Sequence, residues 1–290
     1  MPIVLLVVAA AVAAPLDAQQ WSSPEAQVVV AQAVRRRVDA RGGDALRSYR
    51  AHAHGFVFFS TQVGEALNEP PRLIKADELD VEVYWQTPGV SKQVITAWRD
   101  RRFLPTDISY HSDHLRVVLD NLPNRISLGD GDEVRGVLHP FAPDGPDQYE
   151  YAITDSVSLE SAQRTLRLVG VDFRPMSPPP GAGLAVGRAY IDRATGDIVR
   201  LRLGFTAAAY RDEAVEDITL LLENSLTDGQ FWLPVRQEIE IRRRVAWFDF
   251  PARTLIRVRW AITGIEPNAV IDPAVFGGGV RGMTAPADSS

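Results

Sequence analysis

The sequence predicts a mainly β (α+β) fold in which one amphipathic helix precedes a large twisted antiparallel sheet. Three observations predict it. Apolar residues recur at every second position in several segments, with charged residues between them, as in strands that bury one face. Turn signals such as Asp228-Gly229 separate these segments. One segment near the start has helical spacing instead. We expect about nine to eleven strands in meander order, curled by their twist into an open half-barrel.

The clearest strands lie between residues 186 and 244. Apolar side chains at positions 199, 201, 203 and 205 alternate with Arg200 and Arg202. The segment from Asp192 to Asp197 has the composition of a hairpin loop, in which Gly196 supplies the positive φ that such a turn requires. After the next turn, positions 235, 239 and 241 are apolar between charged neighbours. Both stretches predict antiparallel strands with one buried and one solvated face.

The segment from residue 22 to residue 43 has the features of a helix. A hydroxyl N-cap in Ser22-Ser23 is followed by Pro24 at the first helical position and by an acid in the first turn. Gly42-Gly43 ends the helix. We expect it to lie across the apolar face of the sheet, opposite its charged side at Arg35, Arg36 and Asp39. The residues predicted to face the sheet are Ala26, Val29, Val30, Ala33, Val34 and Val38.

The remaining strands are predicted by the same alternation. One side of the first carries Tyr49, Ala51, Ala53, Val57 and Phe59, and the other carries His52, His54, Phe56 and Phe58. The second alternates Leu79, Val81, Val83 and Trp85 with Glu78, Asp80 and Glu82. In the third, Val94 and Trp98 are predicted to share a face. The final strand places Ile256, Val258, Trp260 and Ile262 opposite Arg257 and Arg259. Shorter strands are expected at 115–119, 149–153 and 166–173.

Composition narrows the class of protein. The chain has 290 residues, 46% of them hydrophobic, which is enough for a substantial core. A net charge of −6, with arginine interleaved among acids, argues against a nucleic-acid partner. Lys75 and Lys92 are the only lysines, a preference for arginine that we attribute to genomic bias. Without cysteine, the chain has no disulfide, thiolate metal site or lipid-modified thiol.

The termini predict export and a three-part chain. The apolar run from Ile3 to Ala14 has the length of a signal-peptide core and is too short to cross a bilayer. We therefore expect a signal peptide at 1–18, a single domain at 22–270 and a disordered tail at 277–290. No later segment reaches the length of a transmembrane helix. The alternative for the apolar run is a buried N-terminal strand.

Candidates for catalysis are few. His52 with His54, and His111 with His114, form two close pairs that offer imidazoles for zinc, although no His-Glu-x-x-His motif is present. The alternative is that these histidines are ordinary strand and surface residues. Asp130-Gly131-Asp132 is interpreted as a polar turn, because the spaced ligands of a calcium loop are missing. The sequence also lacks a nucleophile elbow, a phosphate loop and a dinucleotide fingerprint. We therefore expect neither catalysis nor a cofactor.

Two motifs carry a resemblance to a known family. The segment GRAYIDRATGDIVRLRL, followed by GQFWLPVRQEIE, resembles the carboxyl half of the LolA-like group of outer-membrane lipoprotein-sorting proteins, over roughly residues 145 to 266. It also resembles the periplasmic part of a larger outer-membrane family. The resemblance implies a half-barrel with a lipid-sized hollow, and a soluble, monomeric protein in the periplasm or secreted from the cell.

The resemblance implies a non-catalytic carrier that holds lipid or lipoprotein acyl chains. One helix cannot hide the apolar face of about ten strands, so the uncovered part is the expected binding surface. Two alternatives remain: a cell-envelope interaction module with a filled interior, which would bind other envelope proteins, and a zinc-dependent hydrolase built on the histidines. The residues expected to bind the ligand are Val57, Phe59, Val83, Trp85, Val94, Trp98, Leu201, Leu203, Phe205, Ile239, Ile241 and Trp260.

Overall fold

The computed structural model describes residues 20–42, 46–63, 69–87, 89–106, 123–128, 133–160, 165–177, 181–247 and 250–277. The predicted signal peptide, the strand at 115–119, the turn at 130–132, His111, His114 and nearly all of the predicted tail lie outside these residues. The elements in chain order are α1 (Pro24–Gly42), β1 (Ser48–Val63), β2 (Arg72–Gln86), β3 (Val90–Arg102), β4 (Arg125–Leu128), β5 (Val134–Leu138), β6 (Tyr149–Glu160), β7 (Thr165–Pro175), β8 (Ala185–Asp192), β9 (Ile198–Phe205), β10 (Val215–Thr227), β11 (Phe231–Trp247) and β12 (Phe250–Pro267).

Ten of these strands form one open antiparallel sheet, which confirms the predicted fold class. Their order is β3-β2-β1-β12-β11-β10-β9-β8-β7-β6, and β4 and β5 form a separate hairpin. The prediction of a simple meander was wrong at one place. The chain forms two meanders, and the first strand pairs with the last, from Tyr49 opposite Pro267 to Val63 opposite Ala252. Alternation specifies strands and faces but not which distant strands become neighbours.

The sheet has one apolar and one charged face. On the inner face, side chains such as Phe59, Leu79, Leu203 and Trp260 are buried and belong to a single hydrophobic core. The outer face carries the arginines and acids that alternate with them. This division confirms the predicted alternation in β1, β2, β9 and β12. Burial of one face fixes the register, because a shift by one residue would turn every apolar side chain towards water.

Helix α1 begins as predicted and packs with a slightly different face. The Ser23 hydroxyl accepts a hydrogen bond from the Ala26 amide at 3.2 Å, which caps the first turn. Most of the predicted stripe is buried, but Val38 is 45% exposed, so its prediction as a core residue was wrong. Arg37 takes the inward position and donates to the Pro123 carbonyl at 3.0 Å. Arg37 follows Ala33 by four residues and Val38 follows it by five. Because a helical turn takes 3.6 residues, position 37 lies closer to the buried stripe than position 38 does.

The polar contacts of α1 lie at one end of the sheet. Arg36 pairs with Asp197 at 2.7 Å, and the Gln32 side chain donates to the Ala194 carbonyl, both in the β8–β9 loop. At the start of the helix, the Ser22 amide donates to the carbonyl of Tyr151 on β6. The helix is therefore anchored beside β6, β8 and β9.

Residues 123–128 and 133–148, which we call the cover segment, form a second layer on the inner face. Its β4–β5 hairpin buries Ile126, Leu128 and Val137 in the common core, and Phe141 packs against the rings of Tyr151 and Phe173. The strands predicted from the sequence include none in this part of the chain. This segment therefore covers part of the inner face that helix α1 leaves uncovered.

Trp260 occupies the centre of the inner face because its neighbour on β1 is a glycine. Gly55 lies opposite Trp260 in the pairing of β1 with β12, and the indole lies over the space where a side chain would stand. A Cβ atom on Gly55 would overlap both the indole ring and the Arg259 carbonyl oxygen. A large and a small residue therefore fill one layer together.

We expect Gly55→Ala to lower the free energy of unfolding by about 1–3 kcal/mol, because the added methyl group overpacks the core. Urea unfolding monitored by circular dichroism measures the change. Gly204→Ala is the matched control, since a Cβ atom there would keep an ordinary distance of 3.4 Å from the Ile218 carbonyl oxygen. Equal stability of the Gly55→Ala variant and the parent chain would contradict the packing described here.

The hydroxyl group of Tyr149 ties the cover segment to the sheet. It donates to the Leu138 carbonyl at 2.7 Å and accepts from the Ala185 amide at 3.0 Å. Burial raises the pKa of Tyr149 to about 12, and the bond from Ala185 only partly opposes this. The neutral phenol is thus the form that the fold retains.

The raised pKa of Tyr149 makes stability depend on alkaline pH. Its contribution is complete below the unfolded pKa of about 10 and is lost as the pH rises through 12. We expect Tyr149→Phe to cost about 1–3 kcal/mol at pH 7, because the Leu138 carbonyl loses its donor and the buried Ala185 amide loses its acceptor. It should also reduce, without abolishing, the loss of stability above pH 10, since burial raises the pKa of Tyr151 as well. Urea midpoints from pH 7 to 11.5 measure both effects, and identical slopes for both proteins would refute this assignment.

Candidate functional site

The predicted ligand-binding residues converge on the inner face of the sheet. Ten of the twelve are buried in the common core, and Val94 and Trp98 are exposed. An apolar ligand on this face would have to lie against these side chains, between the sheet and the elements that cover it. Their role in binding stays a prediction. The ten buried residues are Val57, Phe59, Val83, Trp85, Leu201, Leu203, Phe205, Ile239, Ile241 and Trp260.

The prediction that Val94 and Trp98 share a face was wrong. Trp98 pairs with Leu79 and so lies on the inner face, whereas Val94 pairs with Glu82 on the outer face. The register shifts between these pairs, which is the mark of a β-bulge at Thr96. The extra residue inverts the alternation beyond it, so Val94 does not belong to the candidate site.

The inner face has an exposed apolar margin at the edge strand β3. Trp98 is 39% exposed, and Phe103 and Leu104, just beyond the strand, are also exposed. The amides of Phe103 and Leu104 donate to the Ile74 carbonyl at 2.7 and 3.3 Å, which holds both residues beside the start of β2. We call these three residues the rim. Of the three, Trp98 lies opposite buried Leu79 on the inner face, whereas the Phe103 ring centroid lies 5.0 Å from the guanidinium carbon of Arg101.

A fully buried ion pair lies just inside the rim. Lys75 is 2% exposed and Asp77 is 0% exposed, and the ammonium nitrogen is 3.0 Å from a carboxylate oxygen. The same nitrogen lies 5.7 Å from the Phe59 ring centroid and 5.8 Å from that of Trp98. On β3, Arg102 lies opposite Lys75 and Asp100 lies opposite Asp77. Removing the buried pair from water costs several kcal/mol per ion.

Sequence analysis missed this pair because lysine usage was attributed to genomic bias. The sequence did carry a signal for it, because positions 75 and 77 have the same alternation as the inward-facing residues from Leu79 onwards. Two charges at inward positions of a strand are unusual. The chain uses arginine almost everywhere, yet this buried position holds one of its two lysines.

A second polar group faces the middle of the same surface. The indole nitrogen of buried Trp260 has no hydrogen-bond partner among the described residues. Gln237, opposite Trp260 on β11, is also buried on this face. A buried donor that lacks an acceptor is uncommon in proteins. This N–H group is suited to donate to an oxygen of a ligand on the inner face.

The histidines of β1 lie on the opposite, outer face. The Nδ1 atom of His54 is 2.9 Å from a carboxylate oxygen of Asp80, and its Nε2 atom is 3.6 Å from Glu78. His52 approaches the same Asp80 oxygen at 3.5 Å. Within the residues that the structure describes, no group of three or more His, Cys, Asp or Glu side chains is arranged to hold a metal ion. The geometry therefore gives the zinc hypothesis no support from this pair, and His111 and His114 lie outside the described residues.

Comparisons with known proteins give only remote likenesses. No protein-family model matches the chain, and no curated protein matches it in sequence. A DUF1329 family protein from Desulfovibrio piger is 11% identical with a TM-score of 0.33, and the match covers 87% of this chain and 96% of that one. Lipovitellin, whose structure was described for its lipid–protein interactions, is 9% identical with a TM-score of 0.35, over 77% of this chain and 26% of its own.

The MucA/MucB complex of Pseudomonas aeruginosa gives a third likeness, at 10% identity and a TM-score of 0.20, over 83% of this chain and 99% of that one. TM-scores this low describe a loose likeness of shape and transfer no function. The LolA-like resemblance therefore stays a prediction from sequence. Among the helices in the described part of the chain, none has the length and apolar character needed to cross a membrane.

We expect Lys75→Met to destabilise the fold by about 3–5 kcal/mol, because it leaves the Asp77 carboxylate buried without its counter-charge. Adding Asp77→Leu should recover most of the lost stability, since no uncompensated charge is then buried. Guanidinium unfolding measures both variants. Arg50→Met is the control, because Arg50 pairs with Glu82 at 3.1 Å on the solvated outer face, where an exposed ion pair adds little to stability. If the Lys75→Met variant were as stable as the parent chain, the buried ion pair would be refuted.

Proposed function

We propose that this protein is a non-catalytic binding protein of the cell envelope that holds lipid or lipoprotein acyl chains on the inner face of its sheet. The observation that carries the proposal is the exposure of Trp98, an inward residue of the edge strand β3 that lies opposite buried Leu79. Single exposed apolar residues are ordinary, but Trp98, Phe103 and Leu104 are all exposed along this edge of the sheet, which is typical of a binding surface. The rim is the proposed opening through which an acyl chain reaches the interior.

The arrangement of the covering elements supports this opening. The polar contacts described for α1 and for the cover segment run to β6, β8, β9 and β11 and to the loops beside them, as in the pairing of Asp197 with Arg36 and of Arg243 with Glu133. The rim lies at the other end of the strand order, on β3. A chain that enters at the rim would displace neither set of contacts. It would lie along β2, β1 and β12, over Leu79 and Trp260.

The energetics suit reversible binding. Each methylene group moved from water to an apolar surface contributes about 0.8 kcal/mol. A chain of sixteen to eighteen carbons therefore offsets the cost of association, which is on the order of 4–15 kcal/mol. The Trp260 indole N–H and the Lys75 ammonium group supply the polar positions for the oxygen-rich end of the ligand. A few placed polar groups in a mainly apolar site are typical of lipid and small-molecule pockets.

Export to the periplasm or outside the cell belongs to the same proposal. It rests on the apolar run at residues 3–14, which has the length of a signal-peptide core. A carrier in an aqueous compartment between membranes has a use for an apolar interior. The LolA-like resemblance of residues 145–266 suggests lipoprotein sorting as the process.

A second function is favoured by a different observation. Ten of the predicted binding residues are already buried by the protein itself. If their cover does not move, the inner face is a filled core and the protein acts as an interaction module for other envelope proteins. The exposed rim would then be part of its protein-binding surface. Acyl-chain binding separates the two functions.

We expect the full chain to bind cis-parinaric acid saturably at a ratio of one to one, with energy transfer from tryptophan to the probe. Trp98→Asp should weaken binding at least tenfold, because it places a charge at the opening. Fluorescence titration measures both affinities. The matched control is Met176→Asp, since Met176 is 38% exposed and lies at the end of β7, next to the opposite edge of the sheet.

Unchanged binding by the Met176→Asp variant would support the rim as the opening. Two results would overturn the carrier function: the parent chain failing to bind the probe, or both variants losing affinity equally. In the first case the interaction module is the function that remains.

A further inference from the structure

The outer face of the sheet is covered by cross-strand pairs of arginine and acid. These pairs extend over nearly the whole strand order. Side chains on neighbouring strands with opposite charge stabilise such a face and keep it solvated. The cross-strand pairs are Arg50 with Glu82, Arg99 with Glu78, Arg188 with Asp172, Arg200 with Glu223, Arg236 with Glu223, Arg257 with Glu240 and Arg259 with Glu238.

The charge pairing is interrupted at Arg202. This exposed residue of β9 lies opposite Arg188 on β8 and opposite Leu221 on β10. Arg188 is already paired with Asp172 through two hydrogen bonds of 2.5 and 3.1 Å. No acid of the described residues pairs with Arg202, so its guanidinium group stands beside that of Arg188, whose carboxylate partner lies on the far side, on β7. Like charges directly opposite each other destabilise a sheet.

The interruption coincides with a groove of about 380 Å³ in the outer face. Gly204 forms its floor, because the absent side chain leaves a depression between Val186 and Thr219. Arg188 and Arg202 line one side, and the Trp21 ring, which packs on Arg174 with the guanidinium carbon 3.9 Å from the ring centroid, lines another. Asp172, the partner of Arg188, also lines the groove, so the positive charge that is left unbalanced there is that of Arg202.

We propose that this groove binds a phosphate group. Adjacent guanidinium groups and the Thr219 hydroxyl offer donors to several oxygens of one tetrahedral anion, whereas a single carboxylate would be satisfied by one arginine. The missing acid is then explained, because the ligand supplies the negative charge that the face lacks at Arg202. The site is separate from the inner face and does not depend on acyl binding. A free phosphate and the headgroup of an anionic phospholipid share this chemistry.

The test uses the full chain and two probes. Inorganic phosphate is titrated while the backbone amide signals of Val186, Gly204 and Thr219 are followed by NMR. Vesicles of phosphatidylglycerol, with phosphatidylcholine as reference, are tested by co-sedimentation at 150 mM salt, which screens weak surface attraction. We expect saturable binding of at least one probe at the groove.

Two variants remove the site in different ways. Arg202→Gln removes the unpaired charge and should weaken binding at least tenfold. Gly204→Val fills the floor without changing charge and should do the same, and its Cβ atom has room, at 3.4 Å from the Ile218 carbonyl oxygen and 4.0 Å from Val186. Arg167→Gln is the matched control, because Arg167 is another exposed arginine on β7 that lies outside the groove.

Each outcome decides between sources or against the site. Binding of inorganic phosphate supports a soluble anion, and binding of phosphatidylglycerol vesicles alone supports a headgroup presented by a bilayer, provided that both groove variants lose it. The proposal is overturned if neither probe binds, if Arg202→Gln and Gly204→Val bind as well as the parent, or if Arg167→Gln weakens binding equally.

Discussion

Pairing between the first and the last strand holds the whole architecture together. Without the β1–β12 ladder, the chain would consist of a three-stranded unit and a seven-stranded unit. Neither would bury the central part of the inner face, where Trp260 of β12 lies over Gly55 of β1. The continuous apolar surface, and with it any site for an acyl chain, exists only because this ladder forms. Register is fixed there by the same pair, since a bulky ring needs a residue without a side chain beside it.

The two faces of the sheet solve opposite electrostatic problems. On the outer face, charges remain in contact with water and balance one another across strands, at little net gain in stability. On the inner face, Lys75 and Asp77 are removed from water together, and the cost of removing them is reduced only by their proximity. Apolar residues of similar size would pack there at lower cost.

Much of the fold was predictable because period-two alternation is imposed by the geometry of a strand. Every second residue from Leu79 to Trp85 and from Ile256 to Ile262 faces inwards as predicted. The hairpin loop closes at Gly196 with a positive φ of 79°. Features that depend on distant partners were not predictable. The neighbour of β1, the layer formed by the cover segment and the bulge that separates Val94 from Trp98 all arise from pairing and packing between remote residues. For the site, the inward residues were found, whereas the buried ion pair and the groove at Arg202 required coordinates.

The place of β1 in the sheet also constrains how the molecule is made. Tyr49 can pair with Pro267 only after roughly two hundred further residues have been synthesised, so the β1–β12 ladder forms late. During synthesis a long strand with an apolar side thus stays without one of its neighbours until almost the entire polypeptide has left the ribosome. Such a late-closing topology folds slowly and exposes an edge that attracts other chains. The nascent protein is accordingly expected to depend on a holding chaperone for most of its synthesis.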